Sequence, residues 1–291
     1  MEKLPSLCVF LALLVHCLTL SFVDAGVTKI STDKQALLSP ENLCGFRHHR
    51  VTALNISHLG LTGTLPPQLE NLSFLATIDI KNNSFYGSLP EELLAQLRRL
   101  KYLSFSYNIL SVELPPSIFD NLPNLQSVYL HENMLQGKIP STLSKCQILQ
   151  YLYLSFNYFT GLIPKEIGNL TQLKRVYLGD NKLQGEISKE LGNLAEVEIL
   201  SLSNNSLTGT IPTLLFNLSS LIYMDFSNNS LIGSLPDNMC QYLPNLEGGI
   251  PYEIGNLRNL EILQLEFNSL VGPVLACLQH LNNDNTFSFG K

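Results

Sequence analysis

Tyrosine is the residue type in this chain best suited to act on another molecule, because its spacing is regular. Tyr129, Tyr153 and Tyr177 lie 24 residues apart, Tyr151 and Arg175 sit two residues before the last two, and Tyr102, Tyr107, Phe156 and Asp180 fall in matching windows. Large, fairly rigid, amphipathic side chains such as Tyr, together with Arg, carry much of the energy at protein interfaces. The chemistry they suggest is recognition. Bond-making chemistry has no comparable support. The six histidines (His16, His48, His49, His58, His131 and His280) have no nucleophile or metal-ligand spacing around them. The carboxylates are scattered, which leaves paired-carboxylate hydrolysis unsupported, and there is no Gly-rich phosphate loop. No enzyme activity, cofactor or metal is therefore expected.

The tyrosines keep step with a second series. Asn83, Asn108, Asn133, Asn157, Asn181, Asn205 and Asn229 follow one another at 24 or 25 residues, and Asn268 closes the series after a gap of 39. The frame around them is clearest in Leu149-x-x-Leu152-x-Leu154-x-x-Asn157-x-Phe159-x-Gly161-x-Ile163-Pro164. Counting from the first leucine, positions 1, 4, 6, 11 and 15 are apolar, 9 is Asn, 13 Gly and 16 Pro. Self-similarity at this period marks a stacked-repeat protein. The alternating L-x-L reads as a short strand with one face buried. The Asn amide can bond main-chain groups at the turn that follows, and stacked copies would form a buried ladder. Gly at 13 allows a positive φ or a close approach, and Pro at 16 fixes φ on the return side. One such unit cannot bury enough apolar surface alone, so stability must come from neighbour-on-neighbour stacking.

The end repeat carries Leu59 at the Asn position. Val112 replaces the glycine of the third repeat, while Ser188 and Leu275 replace prolines. Alternation sends positions 3, 5, 7 and 8 to the open face of the strands. That face therefore gathers an aromatic patch over repeats 3 to 6, namely Tyr102, Tyr107, Tyr129, Tyr151, Tyr153, Phe156 and Tyr177, with Arg175, Asp180, His131 and Glu132 at its edge. Arg175 is a candidate carboxylate clamp.

The L-x-x-L-x-L-x-x-N-x-L-x-G-x-I-P frame, repeated from about Val51 to Leu275, resembles the plant-type extracellular leucine-rich repeat. It is most similar to the ectodomains of receptor kinases, in the group that includes bacterial-elicitor immune receptors; the stretches Arg50–Ser57 and Leu243–Glu247 carry that likeness. The resemblance implies an α/β solenoid: a right-handed superhelix with a parallel β-sheet on its concave face and an irregular or 3-10 return side. It also implies a peptide or protein ligand on the concave face, a co-receptor as a further partner, and a kinase domain in a longer gene product. The alternative is a secreted inhibitor or decoy, similar to the leucine-rich-repeat inhibitors of fungal pectin-degrading enzymes.

Residues 1–25 combine Lys3, an apolar run from Leu7 to Val23 and Val23-Asp24-Ala25 before Gly26, the pattern of a cleaved secretory signal. An apoplastic location or the outer face of the plasma membrane is the expectation, and no later stretch approaches a membrane span. Sequons at Asn55, Asn71, Asn82, Asn169, Asn204, Asn217 and Asn228 fit that route. Net charge is −6, from 18 basic and 24 acidic residues with no basic run, which argues against nucleic acid as a partner. Beyond the signal, Cys146 takes a leucine position and reads as a buried thiol. Cys240 aligns with Phe119, Cys277 is a conceivable mate for Cys240, and Cys44 has no evident mate.

The expected organisation is a signal peptide (1–25), a partial N-terminal cap (26–50), repeats 1 to 8 (51–247), an interrupted repeat with the last one (248–276) and an irregular tail (277–291). The junction Glu247–Gly248 drops positions 3 to 12 of a repeat. Together with the shortened cap and the decay of the pattern after Asn268, this reads as a truncated or mis-joined product of a longer receptor gene; the alternative is a genuine short secreted protein that tolerates a ragged junction.

Overall fold

The computed structural model describes residues 51–65, 69, 72–89, 94–235, 259–271 and 287–288. The signal, the cap, the Glu247–Gly248 junction, Cys44, Cys240, Cys277 and Asn71 lie outside the described residues.

Alternation dictates one short strand per repeat, and the structure has it. Ala53–Asn55, Thr77–Asp79, Tyr102–Ser104, Ser127–Tyr129, Tyr151–Tyr153, Arg175–Tyr177, Ile199–Ser201, Tyr223–Asp225 and Ile262–Gln264 pair in sequence order within one 10-stranded sheet. All neighbours are parallel and stay in register, as in Tyr129 opposite Tyr153 and Tyr153 opposite Tyr177. The register survives the long gap: Tyr223 faces Ile262 and Asp225 faces Gln264. The tenth strand corrects an expectation. Phe287–Ser288, in the segment read as irregular, pairs with Leu263 and Gln264. The edge of a terminal strand presents unpaired N–H and C=O groups, and this pairing covers part of it, at Leu263 and Gln264.

Beneath the sheet lies one continuous core. Positions 1, 4, 6, 11 and 15 are buried along the array; repeat 5 contributes Leu149, Leu152, Leu154, Phe159 and Ile163, each at most 3% exposed. Cys146 is buried in the same column, and burial pushes its thiol up to about 12. The return side is built from 3-10 turns such as Ser141–Lys145, Lys165–Asn169, Lys189–Asn193 and Thr213–Asn217. Ser188 holds φ −67° and ψ 134° before its turn, close to Pro164 (−59°, 122°) and Pro212 (−60°, 129°) before theirs. The chain thus keeps the proline conformation where the proline is missing.

Two features go beyond the frame. Short strands after the ladder position form further sheets: Ile232–Ser234 pairs with Ser269–Val271, and two larger sheets are made by Thr62–Gly63, Ser84–Gly87 and Ile109–Leu110 and by Gln136–Lys138, Tyr158–Gly161, Lys182–Glu186 and Ser206–Thr208. The two are separated where Val112 replaces glycine, and a lone bridge from Glu113 to Gln136 spans the step. Glycines at that position elsewhere have positive φ, for example 76° at Gly161 and 80° at Gly185, which Val tolerates poorly.

The second feature is at position 8. His58, Asn82, Tyr107, Glu132, Phe156, Asp180, Asn204, Asn228 and Phe267 all have φ between 50° and 59°. Each turns the chain out of its strand just before the ladder residue. The bend is held across repeats: the N–H of Phe156 donates to Gly179 at 3.1 Å, and that of Asn157 to Asp180 at 3.1 Å.

Candidate functional site

The asparagine ladder fixes the strands that carry the candidate side chains. In each rung, Oδ1 accepts the position-11 N–H of the preceding repeat, while Nδ2 donates to position-6 carbonyls of its own and the preceding repeat. For Asn157 these contacts are Leu135 N–H at 2.9 Å, Leu154 O at 3.1 Å and Leu130 O at 3.0 Å. The pattern holds from Asn83, which takes Leu61 N–H at 2.8 Å, to Asn268, which takes Leu231 N–H at 3.0 Å. Main-chain groups that water cannot reach are thereby satisfied.

On this rigid sheet the position-5 tyrosines form a column. Ring centroids stand 4.9 Å apart from Tyr129 to Tyr153 and 4.6 Å from Tyr153 to Tyr177, with planes tilted by 41° and 34°. Tyr102, at position 3 of the third repeat, extends the column at 5.3 Å from Tyr129. These separations suit tilted aromatic packing. All four rings are half-buried, so one side of each stays open. Burial raises the phenol pKa of Tyr102, Tyr129 and Tyr177, and each remains a hydrogen-bond donor at neutral pH.

His131 is a residue the alternation argument undervalued. It belongs at the centre of the patch, 5.1 Å edge-on from Tyr107, 6.3 Å from Tyr129 and 5.7 Å from Tyr153. Position 7 shares a face with position 5, and the His131 ring reaches both the preceding repeat (Tyr107) and the next one (Tyr153); the shared face is the signal that could have found it. Burial, with a smaller contribution from Lys81, lowers its pKa. Its Nδ1 is buried and has no hydrogen-bond partner among the described residues.

The remaining candidates lie around this cluster. Tyr151 is half-buried beside Tyr129. Phe156 and Tyr107 are about half exposed, at 51% and 50%. Because position 8 is left-handed, both stand on the rim of the strand face; Tyr107 reaches His131, and Phe156 lies outside the ring contacts of the described residues. Arg175, the candidate clamp, already has partners within the chain. Its Nε is 3.7 Å from Glu198 Oε2, and a hydrogen bond with Tyr153 is the main cause of its raised pKa. The register sets Arg175 opposite Ile199, which brings the adjoining Glu198 within reach.

Asp180 marks an acidic end of the patch. Burial raises its pKa, against a hydrogen bond from Asn204, and Asp225 adds to the rise. Tyr223 donates to Gln264 Oε1 at 2.7 Å and lies 3.3 Å from Asp225 Oδ2. Burial first, then the Asp225 charge, pushes its phenol pKa up. Oε2 of Glu266 is buried without a partner among the described residues. Of the sequon asparagines, Asn82, Asn169, Asn204, Asn217 and Asn228 are exposed and Asn55 is half-buried, its Oδ1 accepting the Ser57 N–H at 3.0 Å. Among the described residues no group of three or more His, Cys, Asp or Glu could hold a metal ion, and no helix is long and apolar enough to cross a membrane.

Comparison with known proteins agrees with this architecture. The leucine rich repeat family model matches residues 73–135, 109–159, 123–183 and 195–247. Receptor like protein 24 of Arabidopsis thaliana is 34% identical in an alignment of 131 positions that covers 35% of this chain and 15% of that protein. Among solved structures, a TDR receptor superposes with a TM-score of 0.68 at 32% identity, over 82% of this chain and 38% of that one. The Arabidopsis receptor kinase HAESA, solved with the peptide hormone IDA and the co-receptor SERK1, gives a TM-score of 0.70 at 27% identity, over 87% and 39%. The chain thus spans under two fifths of either receptor chain. The family matches cover more than half of its own length, and with the ladder and the parallel sheet they establish that the protein belongs to the leucine-rich repeat family.

Proposed function

We propose that this chain is an extracellular recognition array that holds an extended peptide, or an extended segment of a protein, across the ring column of repeats 3 to 6. The observation that carries the reading is the column itself. Four tyrosines and His131 stand in contact on the parallel sheet, half-buried and open on the side away from the core. A platform of this kind costs a bound chain little ordering on the protein side. The binding residues are Tyr102, Tyr107, Tyr129, Tyr151, Tyr153, Phe156, Arg175, Tyr177 and Asp180, with His131 added at the centre. Relatives of the same fold include an ectodomain solved with a peptide hormone and a co-receptor, which supports a peptide as ligand and a second receptor chain as partner.

The family likeness and the sequons also support a secretory route, with the array working in the apoplast or on the outer face of the plasma membrane. Glycans on exposed Asn169 and Asn217 would sit on the return side, away from the column.

The test is selection of random peptides on the full chain. The reading predicts peptides that compete for one site and lose binding when Tyr153 and Tyr177 are both changed to Ala, while the thermal transition is kept. Selected peptides that bind the double variant unchanged would contradict it.

A further inference from the structure

Beside the column, over repeats 1 to 4, the strand face sinks into an open hollow of about 580 Å³. Its floor is Ser104 and Ser106, both buried, with hydroxyls 3.4 Å apart. Its walls are Tyr102 and His131 on one side, Lys81 and Asn82 on the other. The floor is low because positions 5 and 7 of the third repeat are serines, where the following repeat carries Tyr129 and His131.

Every side chain that lines the hollow can donate a hydrogen bond, and none of them is a carboxylate. It offers the Lys81 ammonium and the hydroxyls of Ser104, Ser106, Tyr102, Tyr107 and Tyr129. The Asn82 amide is engaged with His58 Nδ1 at 2.7 Å. Asp79 is buried beside Lys81: one oxygen accepts the Lys81 main-chain N–H at 3.1 Å, and the other forms an ion pair with Lys81 Nζ at 3.8 Å. That second distance is beyond hydrogen-bond length, so the ammonium keeps its donors for another acceptor. At the opposite end of the column stand Asp180, Asp225 and Glu266, which repel an anion. Lys81 is the cation that the hollow presents to a negative group on a peptide crossing the face.

We infer that this hollow receives a carboxylate of the bound peptide, with Lys81 as its countercharge and the hydroxyls of Ser104, Ser106 and Tyr102 as donors. The inference rests on the peptide-binding reading above and adds the chemistry and direction of the ligand: its acidic group lies toward repeats 1 to 4. The carboxylate is either an Asp or Glu side chain or the α-carboxylate at the peptide's end.

Two random-peptide libraries, one with a free and one with an amidated C-terminus, are selected on the full chain. An acid at a fixed distance from the remaining contacts is expected in the selected peptides, from the amidated library if a side chain is read and only from the free one if the terminus is. Converting that acid to its amide should weaken binding about tenfold or more, as for charge-assisted hydrogen bonds. In the Lys81→Met variant the acid and amide peptides should bind alike. An acid-to-amide loss that persists in Lys81→Met overturns the assignment of the hollow. So do selected peptides with no recurring acid, although the recognition face would then stand. A chain that selects no peptide overturns both. The acid-to-amide comparison on the unaltered chain needs no variant to fold.

Discussion

The side-chain carbonyl of Asn157 accepts the main-chain N–H of Leu135 at 2.9 Å, and Leu135 belongs to the preceding repeat. The ladder thus works backwards along the array, each asparagine completing the turn of the repeat before it. Asn157→Ala removes that acceptor and the donors to Leu130 and Leu154 at once. Buried groups left unpaired cost about 1–3 kcal/mol each, so the variant should lose at least about 2 kcal/mol in denaturant unfolding. A loss below about 0.5 kcal/mol would contradict a structural ladder.

Gly168 shows a different use of glycine. A Cβ there would come 2.2 Å from the main-chain oxygen of Glu190 in the next return turn. No rotation relieves a clash with main chain, so Gly168→Ala should force the turns apart. The expected loss is about 1–3 kcal/mol, read as a lower thermal midpoint; an unchanged midpoint would mean the turns are not closely stacked.

Ser188 already has the backbone of the proline found in neighbouring repeats, with φ −67°. Ser188→Pro should stabilise the chain by about 0.4–1 kcal/mol by restricting the unfolded state. The cost is the contact of the serine hydroxyl with Glu190, which lies at the surface. A fall in the midpoint would show that this contact outweighs the gain.

His131 supplies a pH test. Its folded pKa lies below the ordinary 6.5, so the unfolded chain binds its proton first as pH falls. Stability contributed by the neutral ring is complete above about pH 6.5 and declines as pH drops below it. His131→Phe should flatten that acid limb relative to the unaltered chain. Parallel stability–pH curves for the two would exclude His131 as the cause.

Much of this was legible in the sequence. The buried positions, the ladder, the positive-φ glycines and the buried Cys146 follow from one periodic frame, since each answers a local demand repeated in every unit. The left-handed bend at position 8 was harder to see. Asn82, Asn204 and Asn228 hint at it, because Asn tolerates that conformation, but Tyr107, Glu132 and Phe156 hide it. The pairing of Arg175 with Glu198 and the serine-floored hollow depend on which side chains adjacent repeats bring together. Periodicity within one repeat does not specify that.

The most direct test of the central claim is a structure of the chain bound to a peptide selected on it. The account predicts an extended peptide lying over the rings of Tyr129, Tyr153 and Tyr177, in contact with His131. A peptide seated on the return side, with the ring column uncovered, would contradict it.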